Sequence, residues 1–88
     1  MEYVTESEII FSSEKILQSA YVLKDGKAIV ALITEPIFTK SERDNLKSET
    51  AKIAKKRLKV NTVAVTFSAR AYAMIEIGKS YDEVAEIL

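Results

Sequence analysis

The feature of this sequence that most constrains its fold is a pair of short apolar segments separated by a turn motif. Residues 20–23 and 28–33 are rich in β-branched and aromatic side chains, and Lys24-Asp25-Gly26-Lys27 lies between them. Asp-Gly favours a two-residue type I′ turn, because both central positions of that turn take positive φ. These residues therefore predict a β-hairpin.

The second strand of the hairpin is apolar on both faces. Ile29, Ala31 and Ile33 alternate with Val30 and Leu32, so the side chains that point to either side of the sheet are hydrophobic. We expect such a strand to be central, or to have its second face covered by another element or subunit.

A long helix is predicted after the hairpin. Pro36 ends the second strand because proline cannot donate to a ladder, and Thr39 with Glu42 forms a capping box. The helix runs to about Leu58. Its apolar positions form one narrow stripe: Leu46, Thr50, Ile53, Ala54 and Leu58.

Residues 62–67 alternate strictly and predict a third strand, with Val63, Val65 and Phe67 toward the core. Ser68 then caps a short helix over residues 69–77, which Gly78 ends. Ser80 and Glu83 repeat the capping-box pattern and open a last helical turn or two toward Leu88.

The N-terminal segment allows two interpretations. Residues 5–8 can cap a helix, or Ile9-Ile10-Phe11 can be a short strand followed by a brief helix. We favour the helix, whose apolar positions are Ile9, Ile10, Ile16 and Leu17.

These elements predict a single α+β domain over residues 1–88, with a three-stranded sheet, helices packed on one face and the order α-β-β-α-β-α. A length of 88 residues suits one domain. The longest apolar run, residues 28–33, is too short to span a bilayer. The acidic start does not resemble a signal peptide, so we expect a soluble, cytoplasmic protein that is exported only if the chain belongs to a longer precursor.

The composition argues against an enzyme. The sequence has no His and no Cys, which excludes an imidazole base, a cysteine nucleophile and a thiolate zinc site. Its two glycines are explained by the turn and by a helix end, and no glycine-rich phosphate loop is present. Paired carboxylates lie at predicted helix starts, where capping explains them, and a metal site at Asp82, Glu83 and Glu86 is conceivable but unspecific. We predict no catalytic residue, cofactor or metal.

The net charge is zero, but the charges are unevenly distributed. Residues 1–39 carry three bases and six acids, a net of −3; residues 40–70 carry nine bases and three acids, a net of +6. Residues 71–88 carry one base and four acids, again −3. This asymmetry predicts a surface for phosphate or for an acidic partner.

The candidate interaction residues are Lys52, Lys55, Lys56, Arg57 and Lys59 on the long helix, together with Tyr72 and Ile75. The four lysines share one helix face. A nucleic-acid-binding module that uses the basic helix 40–59 is one alternative, but the run lacks neighbouring aromatics for base stacking and the isoelectric point is about 6.3. A solvated face or contact with an acidic protein surface is favoured.

Two further alternatives stay open. The strip Tyr72, Met74, Ile75 and Ile77 is more apolar than a surface helix needs, which fits core packing or a subunit interface. A ferredoxin-like small-molecule regulatory domain would need a fourth strand, for which Ile9-Ile10-Phe11 is the candidate.

The block from Ser19 to Leu32 resembles the strand–turn–strand block of bacterial sporulation lipoproteins of the YhcN/YlaJ type, and residues 61–66 are similar to a later strand of that family. The likeness covers about residues 15–80. The element order also resembles the ring-building modules of sporulation channels and secretion-system rings. These 88 residues contain no cysteine for lipid attachment, so we do not expect membrane anchoring to carry over, and Ser68-Ala69-Arg70-Ala71 replaces the family's acidic turn.

The resemblance implies assembly or binding rather than chemistry, because ring-building modules pack side by side into oligomers. We therefore expect a non-catalytic domain, sporulation-related by this resemblance, that works through self-association or protein contact. Its charge asymmetry suggests that the basic helix of one subunit meets the acidic 71–88 segment of another.

Overall fold

The computed structural model describes residues 16–35 and 39–88. In that part of the chain the elements are β1 (Ile16–Lys24), β2 (Lys27–Thr34), α1 (Lys40–Leu58), β3 (Thr62–Thr66), α2 (Ala69–Glu76) and α3 (Tyr81–Glu86). The predicted α+β class and the three-stranded sheet are confirmed.

The β1–β2 hairpin forms around the predicted turn. Asp25 and Gly26 have φ of 47° and 77°, the left-handed conformation that a type I′ turn requires at both positions. The Gly26 carbonyl also accepts hydrogen bonds from the amides of Asn61 (2.8 Å) and Thr62 (3.3 Å). The turn therefore also positions the start of β3.

β1 is longer than the hairpin pattern indicates. It begins at Ile16, pairs antiparallel with β2 along its length and contains an irregularity between Ile16 and Gln18. Ile16 and Leu17, which the sequence predicts in a helix, are strand residues. The pairing of β1 with β2 overrides the weak helical spacing of the apolar residues. The rest of the predicted N-terminal element, including the possible strand at residues 9–11, lies outside the described residues.

β2 is the central strand, as its sequence predicts. The sheet order is β1-β2-β3, and β3 pairs parallel to β2. Residues 28–32 are all buried, with Val30, Ala31 and Leu32 fully excluded from solvent. Because neighbouring residues of a strand point to opposite faces, the sheet has a hydrophobic core on each side of β2.

Helices cover both faces of the sheet, so the prediction that they pack on one face is wrong. Val30 and Leu32 pack with Leu46 and Ala54 of α1. On the other side, the buried residues packed together are Ile29, Ala31, Ala71 of α2 and Val84 of α3. A single helical layer would leave half of the apolar side chains of β2 in water, which is why the chain returns across the second face.

α1 agrees with its sequence signals. Thr39 and Glu42 make both hydrogen bonds of the capping box, and Leu46, Thr50 and Ala54 form the buried stripe. The helix ends at Lys59, whose φ of 57° is left-handed. The amide of Lys59 still donates to the Lys55 carbonyl, as in a left-handed cap.

β3, α2 and α3 follow the predicted order. Val63, Val65 and Phe67 pack against the core on the α1 side, whereas Thr62 and Ala64 are exposed. Ser68 caps α2 by accepting from the Ala71 amide. Within residues 16–35 and 39–88, no helix has the length and the apolar character needed to cross a membrane.

Candidate functional site

The acidic side chains of the described residues do not form a metal site. No group of three or more His, Cys, Asp or Glu in that part of the chain could hold a metal ion. Asp82 instead forms a salt bridge with Lys24, and the Glu83 carboxylate accepts hydrogen bonds from the Ser80 amide and hydroxyl. These contacts make Asp82 and Glu83 parts of the fold.

The predicted basic residues do form a continuous surface. Lys52, Lys55, Lys56 and Lys59 are exposed, and we refer to these four lysines as the basic face. At 100° per residue, Lys52 and Lys55 lie about 200° and about 140° around α1 from the buried Thr50. Burial of the apolar stripe against the sheet therefore turns the basic face outward. Arg57 is also exposed, but it lies on the side of the buried stripe, in the last turn of the helix.

The lysines of the basic face form no salt bridge within the described residues. The salt bridges in that part of the chain join Lys24 to Asp82 and Lys79 to Glu83. The last acidic residue of α1 is Glu49, before the first lysine of the face. Cations in the final turn of a helix are favoured by the helix dipole, which gives the run a local reason to lie where it does.

Tyr72 and Ile75 lie on the other side of the sheet from the basic face. Both are half-buried and pack against the core formed by β2, α2 and α3. The Tyr72 hydroxyl donates to Oε1 of Gln18 in β1 at 2.6 Å. The structure therefore places the predicted interaction residues of α1 on one side of the sheet and Tyr72 and Ile75 on the other.

The side of the molecule that carries α2 and α3 has a second exposed group. Ile77 is 72% exposed and directly follows the exposed Glu76. Leu88 is 52% exposed and lies two residues after the exposed Glu86. Glu76 and Glu86 lie about 140° and about 200° around their helices from the buried Ala71 and Val84.

We refer to Glu76, Ile77, Glu86 and Leu88 as the acidic surface. Within the described residues, neither glutamate forms a salt bridge. The sequence predicts a net charge of −3 for residues 71–88 but does not single out these four residues. The helical spacing from the caps Ser68 and Ser80 would have been enough to place both glutamates outward.

Specific contacts hold α3 and its acidic surface against the sheet. The hydrogen bond from Lys24 to Asp82 raises the pKa of Lys24 above its usual 10.5 and joins β1 to α3. Hydrogen bonds from Ser80 lower the pKa of Glu83 below its usual 4.5. Lys27 lies over the Tyr81 ring at 5.3 Å. These contacts fix the position of α3 relative to the hairpin.

Phe67, one of the aromatic residues on the α1 side of the sheet, is already covered. The Phe67 ring packs against the core, and the charged groups of Arg43 and Lys47 lie 5.5 Å and 5.9 Å from its centroid. Lys47 is about 12 Å along the helix from Lys55, so this ring does not lie within the basic face. The arrangement offers charge for binding and little surface for base stacking.

No protein-family model matches this chain, and no curated protein or solved structure shows a significant match.

Proposed function

We propose that this chain is a non-catalytic assembly domain that self-associates through its charged surfaces. The observation that carries the proposal is the basic face of α1, where four exposed lysines lie together and form no salt bridge with the described residues. A surface of this kind attracts a complementary acidic surface, and it does so without a catalytic group.

A protein partner is favoured over nucleic acid by the surroundings of the basic face. Single-strand binders combine positive charge with exposed aromatic rings, whereas residues 52–59 contain no aromatic residue and the Phe67 ring is covered by two cations. The zero net charge is also unlike that of a dedicated nucleic-acid-binding domain. The resemblance to ring-building modules leads to the same proposal.

The mass of the protein in solution at two salt concentrations tests this proposal. At about 0.05 M salt we expect a mass above the 9.8 kDa of one chain, and at about 0.5 M salt we expect 9.8 kDa, because screening weakens contacts between exposed charges. The double variant Lys52→Glu with Lys55→Glu should associate at least about tenfold more weakly at low salt, since it removes the net positive charge of the basic face. Light scattering measures both quantities.

The matched control is Lys40→Glu with Arg70→Glu. Both doubles change the net charge from zero to −4, but Lys40 and Arg70 lie in the first turns of α1 and α2, where glutamate is compatible with the helix dipole. Lys40 is about 22 Å along α1 from Lys55. We expect the control to assemble like the wild type.

Folding of the test variant should be preserved. A glutamate at position 52 gains Lys56 four residues later, which supports the helix, and this offsets the unfavourable effect of the helix dipole on a glutamate at position 55 in the last turn. Circular dichroism verifies this. A wild type with the mass of one chain at both salt concentrations would overturn the proposal, and salt-dependent binding of a labelled oligonucleotide would then assign the basic face to nucleic acid.

A further inference from the structure

We propose that copies of this chain assemble head to tail, with the basic face of one copy docked on the acidic surface of the next. This inference rests on the proposed self-association and names the surface that receives the basic face. Its basis is the arrangement of the two charged surfaces about the sheet.

The two surfaces lie on opposite outer sides of the domain. α1 packs on the face of β2 that carries Val30 and Leu32, and α2 and α3 pack on the face that carries Ile29 and Ala31. Each surface points away from the sheet on its own helices. The lysines of the basic face therefore cannot reach Glu76 or Glu86 of the same molecule, and each molecule presents two complementary surfaces.

Charge decides between the two kinds of symmetry available to identical copies. A two-fold contact through the basic face would place lysines against lysines, and one through the acidic surface would place glutamates against glutamates. A head-to-tail contact joins opposite charges. Two copies cannot make both contacts at once, because the surfaces lie on opposite sides, so the assembly continues beyond two chains as a ring or a filament.

The acidic surface also offers apolar contact. Ile77 and Leu88 are exposed and follow Glu76 and Glu86 closely in the sequence, and the aliphatic stems of lysines can cover such side chains while their ammonium groups pair with carboxylates. A contact between the four lysines of the basic face and the four residues of the acidic surface buries a small area. Small interfaces are typical of weak association. Measurements should therefore extend to about 1 mM protein.

The reciprocal charge reversal tests the inference. The double variant Glu76→Lys with Glu86→Lys should associate at least about tenfold more weakly than the wild type at low salt, as Lys52→Glu with Lys55→Glu does. Glu76 and Glu86 are the last residues of α2 and α3, where lysine suits the helix dipole, so the variant should fold.

An equimolar mixture of the two double variants gives the decisive result. In one variant the former basic face has no net charge, because Lys56 and Lys59 remain, and the other variant is basic on both surfaces, so each alone should associate far more weakly than the wild type. The mixture should assemble more tightly at low salt than either variant alone, because its copies can pair the new glutamates of one variant with the new lysines of the other. Sedimentation velocity resolves these species.

The outcomes separate this inference from the proposed function. A wild type that never assembles overturns both. A wild type that assembles and loses assembly with Lys52→Glu and Lys55→Glu, but keeps it with Glu76→Lys and Glu86→Lys, retains the proposed function and overturns the head-to-tail contact. A wild-type mass that levels off at two chains, or a mixture that stays at one chain, also overturns it.

Discussion

Lys59 is the residue at which the requirements of the fold and of the proposed assembly conflict. Its φ of 57° lies in the left-handed region, which glycine adopts at far lower cost than lysine. Helices commonly end with glycine in this conformation, yet here the position carries one of the four lysines of the basic face. By contrast, Gly26 takes φ of 77° in the hairpin turn, where residue type and conformation agree.

Replacing Lys59 should therefore change stability and assembly in opposite directions. We expect Lys59→Gly to raise the free energy of unfolding by about 0.5–1 kcal/mol, since the left-handed cost exceeds the entropy cost of glycine. The same change should weaken low-salt association, because one charge of the basic face is lost. Urea unfolding and light scattering measure the two effects.

Lys59→Asn is the matched control for this prediction. Asparagine tolerates the left-handed region better than lysine and carries no charge, so it should weaken association as much as Lys59→Gly with a smaller gain in stability. Association unchanged in both variants would exclude Lys59 from the contact. A loss of stability in Lys59→Gly would show that its side chain supports the fold.

At the scale of single elements, α3 shows how a short helix is held in place. Its six residues are too few for an isolated helix to be stable in water. The capping box of Ser80 and Glu83 provides its start, the buried Val84 anchors it in the core, and Asp82 links it to Lys24 of β1. Because Glu86 is the last residue of α3, its position in the acidic surface depends on these contacts.

The lowered pKa of Glu83 predicts how α3 responds to acid. A carboxyl whose pKa is lower in the folded than in the unfolded state stabilises the fold above the unfolded value, near 4.5, and this contribution is lost as the pH falls through the folded value. We therefore expect the amides of α3 to lose hydrogen-exchange protection as the pH is lowered below about 4.5.

Glu83→Gln separates this effect from general acid unfolding. Glutamine keeps the capping-box hydrogen bonds but carries no charge, so the contribution of this side chain should not change with pH in that range. NMR-detected hydrogen exchange and the carboxyl chemical shift of Glu83 are the measurements. A Glu83 carboxyl that titrates at or above 4.5 would contradict the prediction.

At the scale of the whole molecule, β2 belongs to both hydrophobic cores. Val30 and Leu32 contribute to the core under α1, and Ile29 and Ala31 contribute to the core under α2 and α3. A strand shared in this way couples the two helical layers, because neither layer keeps its packing partner if β2 leaves the sheet.

We predict that both layers unfold together and that damage to one core destabilises both. Val30→Ala should lower the free energy of unfolding by about 2 kcal/mol, since two buried carbon groups at about 0.8 kcal/mol each are lost and a cavity remains. Methyl NMR in urea should show the signals of Leu46 and Val84 disappearing at the same midpoint, shifted equally by the substitution. The measurement is made at about 0.5 M salt, which screens the proposed contact between chains.

Different midpoints for Leu46 and Val84 would contradict this coupling. Leu46 reports on the core under α1 and Val84 on the core under α3, so the pair samples both sides of the sheet. Ala85→Gly, at an exposed position of α3, tests the same coupling from the other layer: it should weaken that helix and lower the Leu46 and Val84 midpoints equally.

The sequence by itself determined the elements whose signals are local. The Asp25-Gly26 turn, the capping boxes and the apolar stripe of α1 each depend on residues that are close in the chain, and the structure confirms all of them. The exposure of the lysines of the basic face follows from the same helical spacing. The helix predicted at Ile16 and Leu17 is wrong because the pairing of β1 with β2, which is not local, places both residues in a strand.

The tertiary structure alone decided which element covers each face of the sheet. The alternation in β2 shows that both faces need a cover, but no local pattern states whether α2 and α3 pack beside α1 or opposite to it. That choice separates Tyr72 and Ile75 from the basic face and places Glu76 and Glu86 on the far side of the domain. Helix and turn formation depend on neighbours along the chain, whereas the faces that helices bury depend on surfaces brought together from distant segments.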